Sequence, residues 1–173
     1  MARVRLLNKD EVSLEFRERF QKVEESGHPV LNLFKVMAHA PKVGHRFLGL
    51  GNAILSKGIV PPHLRELAIL RVGQLNQATY EWTQHVPIAL RVGVQQAQID
   101  DLPDWAHSQE FDEREKAILR YTDEETNNIR VNDETFAAVR AILTEEGVVE
   151  LTTTIGYYGM VCRILETLQV ELE

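Results

Sequence analysis

Cysteine is almost absent from this 173-residue chain, with Cys162 the single example. One thiol excludes an internal disulfide and a Cys-x-x-Cys redox pair. Long apolar runs are missing as well: no stretch reaches the roughly 18 residues that a membrane-spanning helix takes. The opening segment MARVRLLNKDEVSLEF carries charges throughout and has no apolar centre, so it does not read as a secretory signal. Positive charge is in deficit, with 19 Lys and Arg against 26 Asp and Glu for a net charge of -7. The basic residues are scattered among acids, and no basic patch overcomes the repulsion of nucleic acid. The expectation is a cytoplasmic protein without nucleic-acid or membrane partners. Strict alternation of polar and apolar residues is also lacking over any length that would make a sheet.

What the chain does have is helical periodicity, with 44% hydrophobic and 26% charged residues, the balance of a globular domain. In DEVSLEFRERFQKVEESG, Val12, Phe16, Phe20 and Val23 share a face, and Gly27 marks a stop. PVLNLFKVMAH and PKVGHRFLGLGNAILSKG each open with Pro at a permitted first-turn position. The second places Val43, Phe47, Leu50 and Ile54 on one stripe. PPHLRELAILRVGQLN is apolar nearly all round and is expected to be the central buried helix. TYEWTQHVPIALRVG follows with Thr79 as N-cap and Gly93 as stop. DDLPDWAHSQEFDEREK reads as a polar connector, and Asp112 with Glu115 has capping-box spacing. The next helix runs through Tyr121 and Ile129. VNDETFAAVRAIL is capped by Asn132 or Asp133. The β-branched cluster from Val148 to Ile155 keeps a three-to-four spacing and is read as part of a long last helix. The expected architecture is all-α, a single-domain helical bundle spanning 1–173, with its core pair at 61–93.

Three residues of that pair carry candidate chemistry. Glu66 stacks over Leu70 on a helix with little solvent face. Burial of this kind disfavours the charged carboxylate unless a donor is supplied. Glu81 and His85 are four apart, so they share a helix face, and a carboxylate can orient an imidazole and raise its basicity. Both have plain structural readings: an ion pair of Glu66 with Arg65 or Arg71, and a surface ion pair of Glu81 with His85. The same spacing would suit two metal ligands, but no further His–carboxylate pair lies nearby, and no metal is expected. Pro87 removes the bond to the Thr83 carbonyl just after His85. Tyr80 and Trp82 flank Glu81, and Tyr157 and Tyr158 lie among Gly156 and Gly159. Core packing is the plain reading of all four, and substrate contact by Tyr80, Trp82 and Tyr157 the functional one.

RELAILRVGQLNQATYEWTQHVPIALRVGV resembles the carboxymuconolactone decarboxylase family, which shares the alkylhydroperoxidase D-like fold. The resemblance is strong over 61–93 and extends more weakly to NLFKVMAHAPKVGHRFLGLGNAIL and to the C-terminal helices. The peroxidase branch of that fold has Glu, then Cys-x-x-Cys, then His four residues after the second Cys. Carried over, the Glu falls on Glu66 and the His on His85, while the two Cys positions hold Ala78 and Glu81. Neither can supply a thiolate, so thiol peroxidase activity is not expected. The decarboxylase branch also lacks the thiols. It implies an enzyme without metal or organic cofactor, acting on a small carboxylated lactone or a related unsaturated or keto acid, and a homo-oligomer, trimer or hexamer. Glu66, Glu81 and His85 are then the expected catalytic residues, and Arg71 the expected holder of the substrate carboxylate. The alternatives are a non-catalytic small-ligand-binding member of the fold and, behind it, a peroxidase-like protein with degenerate thiols.

Overall fold

The computed structural model describes residues 2–173, and among these there is no strand. Nine α-helices follow in order: α1 (Leu14–Glu25), α2 (Asn32–Met37), α3 (Pro41–Lys57), α4 (Pro62–Leu75), α5 (Thr79–Arg91), α6 (Gln96–Asp101), α7 (Glu113–Asn128), α8 (Asp133–Arg140) and α9 (Glu145–Leu168). By internal contacts the chain divides into two compact units, residues 1–57 with 164–173, and residues 58–163. No helix among the described residues is long and apolar enough to cross a membrane.

In the first unit α1 buries Phe16 and Phe20, whose rings meet edge-on at 6.1 Å. Gly27 ends this segment at φ +81°, a conformation that only glycine adopts without strain. On α3 the buried stripe is Gly44, Phe47, Leu48, Gly51 and Ile54. It is rotated from the expected one, since Val43 and Leu50 are exposed. The reason is Gly44: a Cβ there would run into the Met37 carbonyl and the Phe16 ring, so the glycine side of the helix is the one that closes on its neighbours. The C-terminal tail is tied down by backbone and side-chain bonds, Arg3 N to Leu168 O at 2.8 Å and Asn32 Nδ2 to Glu171 O at 3.0 Å.

The second unit is organised around α4, which packs against both α5 and α7. Leu64 through Leu70, Val72 and Gly73 are buried on every side of this helix, as its composition demands. Leu67 and Leu70 sit in a core with Ala89, Val94, Ile99, Leu102, Trp105, Phe111 and Leu119. Each large side chain buried there contributes on the order of 1.5–3 kcal/mol. The segment read as a polar connector therefore supplies core: α6 lies within it, and Leu102, Trp105 and Phe111 turn inward. Its acids hid this, because apolar residues spaced by short turns carry no period. Glu150 of α9 accepts from the backbone N–H groups of Ile59 and Val60, both at 2.8 Å, and so fixes the start of α4.

The Asp112–Glu115 capping box and the Asn132 cap are formed as expected. Thr79 is not the N-cap of α5. Ala78 holds that position with no side-chain cap, and Thr79 is the first helical residue. Ile129 is not helical either. It is the left-handed C-cap of α7 at φ 66° and is exposed.

Candidate active site

Position 66 falls on a face of α4 that has no route to water, and position 85 on the buried face of α5. The close packing of the two helices makes the side chains meet. His85 Nδ1 lies 2.8 Å from Glu66 Oε2, and His85 Nε2 lies 3.0 Å from Glu81 Oε1. The imidazole is thus held at both nitrogens by carboxylates. Glu66 is 0% exposed, Glu81 4% and His85 6%, so the whole line is dry. The Arg65 guanidinium, 5% exposed, approaches the other oxygen of Glu66, Nε to Oε1 at 3.4 Å. Two anions and two cations then balance, which is how a carboxylate is tolerated in an apolar helix.

Burial works against a charge on His85. The hydrogen bonds to Glu66 and then Glu81, with the fields of both carboxylates, outweigh it and raise the imidazole from 6.5 to about 9. At neutral pH the ring is an imidazolium donating from both nitrogens. The Tyr158 ring stands edge-on to His85 with centroids 4.9 Å apart, and Tyr157 meets Tyr158 in the same way at 5.2 Å. Burial, and after it the carboxylates of Glu81 and Glu66, pushes the Tyr158 phenol well above its ordinary value of 10. Tyr158 therefore stays neutral and adds no charge to the cluster.

A cleft of about 270 Å³ opens beside this line, bounded by Gly73, Gln74, Gln77, Ala78, Thr79 and Trp82. Gly73 connects the two. A Cβ there would stand 3.8 Å from the Cβ and Cγ of Glu81, so the stem of Glu81 lies directly behind the cleft wall. Gln77, at φ 54°, turns the chain from α4 into α5. The first turn of α5 faces the cleft with no side-chain cap. Its N–H groups and the positive end of the helix favour a ligand oxygen carrying negative charge.

The other sequence candidates are distributed as follows. Trp82 lines the cleft and packs on the core. Tyr80 is buried on α5, and the Tyr157 ring meets that of Tyr158. Arg71 is directed elsewhere. Its Nε and Nη2 bind Asp123 of α7 at 2.6 and 2.8 Å, and Nη1 binds Gln74 Oε1 and the Leu102 carbonyl. Trp105 Nε1 donates to the same aspartate at 3.1 Å. Arg71 thus clips α4 to α7 and to the loop after α6, and the cation beside the Glu66–His85–Glu81 line is Arg65. Sequence reasoning also passed over Tyr158 in favour of Tyr157, and missed the cleft glutamines. Only the register of α9 separates the two tyrosines. Among the described residues no group of three His, Cys, Asp or Glu is arranged to hold a metal ion.

The all-helical fold is similar to that of solved alkylhydroperoxidase AhpD-like proteins. An AhpD core protein of Ralstonia eutropha JMP134, an uncharacterized peroxidase-related protein, matches with a TM-score of 0.88 at 19% identity, over 99% of this chain and 92% of that one. A peroxidase-related protein of Silicibacter sp. TM1040 matches at 0.86 and 15% identity, over 99% and 92%. The debrominase Bmp8 matches at 0.81 and 19% identity, over 97% and 90%. A cysteine-to-alanine variant of that debrominase is known in complex with 2,3,4-tribromopyrrole. Residues 41–124 match the model of the carboxymuconolactone decarboxylase family. The segment holds Arg65, Glu66, Glu81, His85 and the cleft residues, but not Tyr157 or Tyr158. Among curated proteins no match is found.

Proposed function

We propose that the protein is a proton-transfer enzyme of lyase type, acting without a cofactor on a small carboxylated lactone or a related unsaturated or keto acid. The observation that carries this reading is the dry, continuous line Glu66–His85–Glu81 lying behind a small cleft. In decarboxylation the bond to the carboxylate carbon breaks, carbon dioxide leaves, and the electron pair enters a conjugated carbonyl. The resulting enolate oxygen is stabilised by the first-turn N–H groups of α5. Carbon must then be protonated. Both imidazole nitrogens are spent on carboxylates and Glu66 is fully enclosed, which favours Glu81 as the group that meets the substrate. The proton on His85 Nε2 passes first to the Glu81 carboxylate, which then delivers that same proton to carbon, while Glu66 holds Nδ1 of the ring. A proton from solvent restores the imidazolium.

Ala78 and Glu81 carry no sulphur, and Cys162 is buried on α9, so the chemistry drawn here uses no thiolate. A homo-oligomer, trimer or hexamer, is part of the same reading, and light scattering would test it.

The experiment is a decarboxylation assay over a panel of lactone-acids and β-keto acids with wild type, Glu81→Gln, His85→Ala and Glu66→Gln, each checked for native helicity. Loss of about 10²–10⁴-fold in kcat for the Glu81 and His85 variants is expected. Turnover retained in both variants would refute the relay, and absence of turnover by wild type on every substrate would refute the activity.

A further inference from the structure

A second polar pocket lies between α7 and α9, about 200 Å³ in volume and lined by Glu125, Thr126, Ile129, Ile155, Gly156, Gly159 and Arg163. It is below the 300–1,000 Å³ that drug-sized ligands occupy, so an occupant is metabolite-sized. Two of its polar atoms are buried without a partner, Glu125 Oε2 and Thr126 Oγ1. Native chains leave few such atoms, and each calls for a reason. Thr126 is the telling one. Thr83, Thr122, Thr152, Thr153 and Thr154 all donate to the carbonyl four residues back, the usual resting place of a helical threonine. The Thr126 hydroxyl does not. Glycine keeps the opposite wall open: a Cβ at Gly156 would meet only Glu125 Oε1, at 3.9 Å. At the rim the exposed Arg163 binds the Gly159 carbonyl through Nη1 at 2.8 Å.

We propose that this pocket binds a small zwitterion of amino-acid type, its ammonium group on Glu125 and Thr126 and its carboxylate on Arg163. An ammonium group supplies the donors that Glu125 Oε2 and Thr126 Oγ1 lack, and the cation that the carboxylate lacks. Burial alone moves Glu125, from 4.5 up to about 7, with no cation offsetting it. The other charged group lining the pocket is Arg163 of α9, whose Nη1 is bound to the Gly159 carbonyl and which does not offset the burial of Glu125; one turn back on α7 is the phenol of Tyr121, which feels the Glu125 charge. None of these residues belongs to the Glu66–His85–Glu81 line, so the site stands or falls independently of the decarboxylase reading.

The test is a titration of the whole protein with glycine, β-alanine, methylammonium and acetate, followed by the carboxyl carbon resonance of Glu125 and by calorimetry. Glu125→Gln assigns the resonance. The expected result is saturable binding of glycine or β-alanine, with the Glu125 titration midpoint falling by about one unit or more. Loss of a charge-assisted hydrogen bond in Glu125→Gln should weaken binding by about tenfold. Thr126→Val should weaken it by a smaller factor, and Arg163→Gln should bring the zwitterion down to the affinity of methylammonium. No saturable shift with any of the four would overturn the proposal, leaving an ordered water on these atoms. So would equal binding by wild type and Glu125→Gln, or acetate competing with the zwitterion as strongly as methylammonium does.

Discussion

Glu66 and Glu125 are both drawn away from water, the first completely and the second in part, and they are treated in opposite ways. Glu66 on α4 is fully enclosed, yet it has an imidazolium on one oxygen and a guanidinium near the other. Glu125 on α7 is less deeply placed, yet one of its oxygens has no partner. The difference teaches that burial does not by itself set the protonation state of an acid. Where cations are supplied, the neighbouring base is driven upward, as His85 is to about 9. Where none is supplied, the acid itself moves, as Glu125 does to about 7. One arrangement stores a proton on nitrogen next to a cleft. The other leaves a carboxylate waiting for a cation.

Substitutions can break this contrast, and the largest effect is expected at its centre. His85→Ala leaves Glu66 and Glu81 buried without their shared cation, and should cost about 3–5 kcal/mol in urea unfolding. The pH dependence should follow. His85 has a raised folded value, so its contribution is complete below 6.5 and is lost as the pH rises through about 9. The fall in wild-type melting temperature over that window should be shallower in His85→Asn.

Arg71→Gln comes next. It removes the two-pronged bond to Asp123 and should cost about 2–3 kcal/mol by denaturant midpoint. If Arg71 clips helices together, KM of the folded variant should change by less than about twofold. A large rise in KM with little loss of stability would instead give this arginine the substrate role first expected of it.

Glu125→Gln should have a smaller effect of opposite sign. The folded chain holds the Glu125 proton more tightly than the unfolded chain, so wild-type stability falls as the pH rises from 4.5 through about 7. The variant lacks this loss and should gain in melting temperature over wild type above neutrality, with no gain in acid. The smallest change is expected from Gly73→Ala. The added methyl makes only ordinary contacts, 3.7 Å from Trp82 N and 3.8 Å from the Glu81 stem. Helix propensity should raise stability by up to about 1 kcal/mol, while turnover falls because the methyl stands between cleft and Glu81.

Much of this was legible in the sequence, and for physical reasons. The apolar girdle of α4 announces burial whichever way the helix is turned, and a single Glu inside it must find a donor. The four-residue spacing of Glu81 and His85 puts them on one face wherever the helix packs. The failures have reasons too. Nothing in the spacing of Arg71 points to Asp123, 52 residues further on. Tyr157 and Tyr158 differ by one step of a helix whose rotation is set by its neighbours. Leu102, Trp105 and Phe111 lie among acids and turns, where no periodicity marks them as core. Glu125 looks like any surface glutamate of a charged helix, and only its packing against α9 reveals otherwise.

The central claim is that His85 holds a proton between two buried carboxylates. Its most direct test is a nitrogen-15 NMR titration of the His85 ring, assigned with His85→Asn. A ring protonated at both nitrogens at pH 7.5, and titrating near 9, is the result expected. A neutral ring at that pH, titrating close to the ordinary imidazole value of 6.5, would contradict the claim and with it the proton relay.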